Sequence, residues 1–87
     1  MKTRNATSRT LPIRSGVYRH YKGPYYLVLG VARHSETEAA LVVYVRLYAR
    51  AGGPLWVRPL ENFAGQVAGP KGKRIPRFKY VGLEQPA

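Results

Sequence analysis

The chain has 87 residues, 45% of them hydrophobic, with fifteen Lys and Arg against four acidic residues, a net charge of +11 and no cysteine. This length gives one domain with one small core, burying only ~60–65% of its unfolded surface, and the lack of thiols excludes a disulfide framework and a thiolate metal site. The charge excess points to polyanionic partners, nucleic acid first and acidic lipid or acidic protein second.

Ten of the fifteen cations are arginine, a side chain suited to bidentate phosphate contact and to stacking on bases. The same composition also makes a plain solvated surface. No apolar run approaches the ~18 residues of a membrane helix, and no signal-peptide apolar region opens the chain. We therefore expect a cytoplasmic protein with no membrane partner.

Residues 1–15 carry Lys2, Arg4, Arg9 and Arg14 among polar residues with no acid. A disordered basic tail is expected there, in preference to a transit peptide of similar composition. Gly16 to Gly23 alternates Tyr18, His20 and Lys22 with Val17, Arg19 and Tyr21, which predicts a first strand closed by a Gly23-Pro24 turn. Tyr25 to His34 is β-branched and aromatic, a central strand with Gly30 placed for a bulge or bend. Leu41 to Tyr48 predicts a third strand after Ser35-Glu-Thr-Glu38, and Gly52-Gly53-Pro54 turns into a fourth, Leu55 to Arg58. Pro59 to Phe63 reads as one helical turn with proline at its first position. Gly69 to Gly72 is a turn, and Lys73 to Val81 a final strand that Pro76 confines to an edge.

These elements predict a mainly β fold, a small SH3-like five-stranded barrel with one short helical turn. The domain is expected over residues 16–83, followed by a C-terminal tail at 84–87. The predicted core is Leu27, Leu29, Val31, Leu41, Val43, Val45, Leu47, Leu55, Val57, Leu60, Phe63, Ile75 and Phe78. Alternation then sends Tyr44, Arg46, Tyr48, Trp56 and Arg58 to the opposite face.

The series Tyr18-Arg-His-Tyr-Lys-Gly23, His34-Ser-Glu-Thr37, Val42-Val-Tyr44, Leu55-Trp-Val-Arg-Pro59 and Pro76-Arg-Phe78 resembles a small bacterial domain family of unknown function. The likeness spans about residues 16 to 81. It implies a compact β-rich domain, often the whole protein, with no established activity. One departure is the stretch from Ala49 to Pro54, longer and more basic than the turn the family usually carries there.

Three constellations carry candidate chemistry. In the first, Tyr44, Tyr48 and Trp56 would stack bases while Arg46 and Arg58 contact phosphate, an arrangement suited to RNA or single-stranded DNA. Lys71, Lys73 and Arg74, at the tip of a turn, would add phosphate contacts. The competing account packs those rings over a second apolar layer, with arginine stems across them. In the second, His34, Glu36, Tyr44 and Arg58 would form a polar pocket for a protein or small ligand. In the third, His34 and Ser35 would serve a small hydrolase, but neighbours on a strand point to opposite sides, and Ser35-x-x-Glu38 also fits a capping box. No catalytic residue is assigned. Two histidines and four glutamates offer no metal-ligand spacing, and the glycines form no phosphate cradle, so neither metal nor cofactor is expected.

Overall fold

A computed structural model describes residues 13–86. Seven strands run β1 (Gly16–His20), β2 (Tyr25–Arg33), β3 (Ala40–Arg46), β4 (Leu55–Pro59), β5 (Gln66–Ala68), β6 (Arg74–Pro76) and β7 (Phe78–Gly82), with a four-residue helix α1 (Leu60–Phe63) after β4. Five of them form one antiparallel sheet in the order β4-β3-β2-β1-β7, and β5 pairs with β6 in a separate hairpin. Because β4 and β7 end the sheet without pairing to each other, the expected SH3-like barrel is not closed. The predicted final strand is in fact two. Arg77, between β6 and β7, donates its amide to Gly65 and accepts from Tyr21, so the chain changes partners at that point.

Local chemistry explains most of the elements. The register of β2 against β3 slips between Val28 and Gly30, the bulge anticipated at that glycine, and Gly30 has φ 159°. Pro59 sits just before α1 as its N-cap residue, with φ −53° and ψ 138°, one position earlier than predicted. It needs no amide donor there. The β1–β2 turn is pinned by the amide of Gly23 on the carbonyl of His20 and the amide of His20 on that of Pro24, with Gly23 at φ 118°.

The main correction concerns which face is inside. Val42, Tyr44 and Arg46 of β3 are buried while Leu55 and Val57 of β4 are exposed at 61% and 59%, the reverse of the predicted alternation. Tyr18, Val28, Val42, Tyr44, Phe63 and Phe78 make the core, with Ile13, Tyr26, Val31, Leu60 and Tyr80 packed against it. Phe63 of α1 packs onto the inner face, and the sheet curls far enough that Phe78 of β7 lies 5.9 Å from Tyr44 of β3; rings are long enough to meet across that space. Phe63 stacks on Phe78 at 3.9 Å, and Tyr18 and Tyr44 meet Phe63 edge-on at 5.3 and 5.4 Å. The bulge keeps this face continuous. It skips Leu29, which is left 50% exposed, so that Val28 and Val31 both turn inward.

Residues 1–12 of the expected tail lie outside the described residues. Ile13 packs on the core, the Tyr18 hydroxyl bonds to the backbone of Arg14, and the Ser15 hydroxyl donates to the carbonyl of Leu29. Among the described residues no helix is long and apolar enough to cross a membrane.

Candidate nucleic-acid interface

The predicted aromatic and arginine face is largely the core itself. Tyr44 is 3% exposed and stacks on Tyr26 at 5.2 Å. Its hydroxyl accepts from Nε of Arg58, whose Nη1 donates to Asn62 and whose guanidinium carbon lies 5.2 Å from the centre of the Phe78 ring. Arg46, 8% exposed, turns its guanidinium onto the carbonyls of Arg50, Gly52 and Gly53. Those bonds hold the Ala49–Pro54 loop and engage both terminal nitrogens of the guanidinium, which commits the side chain to the fold.

Tyr48 and Trp56 remain at the surface. The Tyr48 hydroxyl bonds that of Tyr26 at 3.0 Å. Burial, then this bond, pushes the Tyr26 phenol up to about 12, while the same bond, with Arg50 and Arg46 nearby, lowers Tyr48. Trp56 lies under Arg50, its ring 5.6 Å from the guanidinium carbon. Two of the five residues therefore stay accessible, but each is tied to a neighbour.

The second constellation is not brought together. His34 sits in the β2–β3 turn, where its Nδ1 accepts the amides of Glu36 and Thr37. Six residues along β2 separate it from Val28, the partner of Tyr44, a span of roughly 20 Å at the rise of a strand. The imidazole therefore organises its own turn. Glu38 adopts φ 64° there and donates its amide to the carbonyl of His34, so the Ser35-x-x-Glu38 pattern opens no helix. Among the described residues no group of three His, Asp or Glu could hold a metal ion.

A different site emerges on the outer side of β1 and β7. A cleft of about 270 Å³ is lined by Arg19, His20, Tyr21, Ile75, Pro76 and Lys79. Arg19 and Lys79 stand directly opposite each other in the β1–β7 register, and like charges so placed are unfavourable unless something neutralises them. Among the described residues no carboxylate lines the cleft. Tyr21 is exposed, with the His20 ring 4.6 Å from its own and Nζ of Lys22 5.8 Å from its centre. His20 accepts the amide of Lys22 on Nδ1. Burial, then the charges of Arg58, Arg77 and Lys22, lowers its pKa below the ordinary value, so the imidazole is a neutral stacking partner.

The exposed basic turn leads straight into this wall. Lys71 takes φ 58° within a single 3-10 turn, Pro70–Gly72; Lys73 and Arg74 follow, all three exposed, and Ile75 and Pro76 then line the cleft. The alternation of Arg19 with Tyr21 in strand 1 was visible in the sequence. What it could not show was Lys79 beside them, because that depends on β1 pairing with the far end of the domain.

The fold and this site define a small, mainly β, strongly basic domain whose cationic cleft has an aromatic wall. The chain belongs to the family described as "Protein of unknown function (DUF1653)", which matches residues 16–80. It is similar to the protein of that family in a crystal structure from Bordetella bronchiseptica, at 51% identity and a TM-score of 0.82, covering 87% of this chain and 96% of that one. No curated protein matches it.

Proposed function

We propose that this domain binds single-stranded nucleic acid, RNA or DNA, without catalysing a reaction. The observation that carries the reading is the β1–β7 cleft, where two cations face each other beside an exposed ring and, among the described residues, no carboxylate lines the cleft to balance them. A base stacks on Tyr21, its phosphate sits between Arg19 and Lys79, and Lys71, Lys73 and Arg74 hold the next phosphates along the basic turn. Stacking on an exposed ring suits unpaired bases and tolerates any sequence. The aromatic contact thus moves from Tyr44, Tyr48 and Trp56 to Tyr21, while Arg46 and Arg58 keep structural roles.

The test is fluorescence anisotropy with a labelled mixed-sequence 15-mer RNA, titrated across salt. Three to five phosphate contacts give a log K against log salt slope of about −2 to −3.5 for a single strand. Tyr21→Ala is expected to weaken binding by about fivefold or more, the lower end of a base–aromatic contact, whereas Trp56→Ala leaves it within about twofold. Undetectable binding at low salt sinks the proposal, and equal losses from the two variants move the site elsewhere.

A further inference from the structure

The inverted alternation leaves an aliphatic surface on the outside of the sheet. Leu41, Val43 and Val45 of β3 pair with Pro59, Val57 and Leu55 of β4, and Val45 also pairs with Leu27 of β2. Leu55, Val57, Leu29 and Pro59 are exposed, and Leu27, Leu41, Val43 and Val45 between them are partly buried. Across these three strands the outward positions carry no charged side chain, on a chain whose net charge is +11.

We propose that this face packs against the same face of a second copy of the chain. Two arguments select that occupant. The first is charge: the outer face has an uncharged half on β2, β3 and β4 and a cationic half at Arg19 and Lys79 of β1 and β7. Two copies related by a twofold axis join the uncharged halves and send the cationic halves to opposite ends, so the repulsion expected of so basic a chain acts at its longest range. An acidic or basic partner finds no counter-charge on the uncharged half.

The second argument is area. The exposed portions of Leu29, Leu55 and Val57, with the half-buried aliphatics between them and Pro59 at the rim, amount to on the order of 500–600 Å² per copy, about the lower limit for a specific interface. Face-to-face packing of sheets at ~10 Å uses all of that surface. Pairing through the free edge of β4 uses little of it. The amide of Arg46 bonds the carbonyl of Pro54, so by alternation Leu55, Val57 and Pro59 turn their backbone groups outward, and Pro59 has no amide to give.

The experiment is sedimentation velocity on the full chain from ~1 to ~500 μM without nucleic acid. A monomer–dimer equilibrium with a dissociation constant in the micromolar range is expected. Val57→Lys and Leu29→Lys, both at exposed positions, should each raise that constant at least tenfold while circular dichroism stays unchanged. Lys79→Gln, in the cationic half, should not raise it. A chain monomeric at every concentration, or a dimer that survives both lysine substitutions, overturns the proposal.

Discussion

Replacing Arg46 by methionine keeps an apolar stem of similar length and removes every donor. In the native fold the guanidinium, almost wholly buried, bonds the carbonyls of Arg50, Gly52 and Gly53, with a longer contact to Ala51. Hydrogen bonds to a charged donor contribute about 1.5–3 kcal/mol each when the acceptor stays buried. Residues 50–53 are exposed, so their carbonyls partly recover by turning to water, and about 1 kcal/mol for each of three bonds is the reasonable figure, some 3 kcal/mol in all. For a domain of this size, that lowers Tm by roughly 12–24 °C. Arg46→Lys, with one compact ammonium in place of a planar fork, should recover less than half of the loss. Urea unfolding followed by circular dichroism measures both, and amide exchange should quicken across Ala49–Pro54 in the methionine variant. If Arg46→Met costs under about 1 kcal/mol, the loop does not depend on the guanidinium. If it instead leaves stability intact and abolishes oligonucleotide binding, Arg46 belongs to an interface and its assignment to the fold is wrong.

Two further outcomes follow from the same packing. Gly16→Ala is expected to cost about 2–4 kcal/mol, because a Cβ there meets Cε1 of Tyr80 at 2.7 Å and the carbonyl of Gly82 at 2.9 Å with φ at 139°; Gly53→Ala, with nothing within 4 Å, should stay within about 0.5 kcal/mol by urea unfolding. His20, whose pKa is lowered mainly by burial, favours folding only when neutral. Its contribution is complete above the unfolded value near 6.5 and is lost as pH falls through the lower folded value, so the urea midpoint should drop from pH 7 to pH 5. His20→Gln should flatten that part of the profile, and an unaltered profile in the variant refutes the assignment.

Much of the local architecture was written in the chain. Gly30 marked its bulge, Pro59 the start of the helical turn, and Gly23-Pro24 the first hairpin, because each imposes a backbone geometry that neighbours cannot override. The chain also announced its excess of positive charge. It did not announce the inner face. In β3 both alternating sets, Leu41-Val43-Val45 and Val42-Tyr44-Arg46, are able to lie against a core, so a period of two predicts a strand and leaves its phase open. Aliphatic residues looked like the interior, whereas the curled sheet is filled by the larger rings of Tyr18, Tyr44, Phe63 and Phe78.

The candidate site divides in the same way. Sequence placed Arg19 and Tyr21 on one side of a strand and the basic run Lys71–Arg74 in a turn, which follows from alternation and turn chemistry alone. Only the tertiary structure set Lys79 opposite Arg19 and closed the cleft with Ile75 and Pro76. Pairing between strands from opposite ends of the domain is decided by the total surface buried, a quantity that no local stretch of sequence contains.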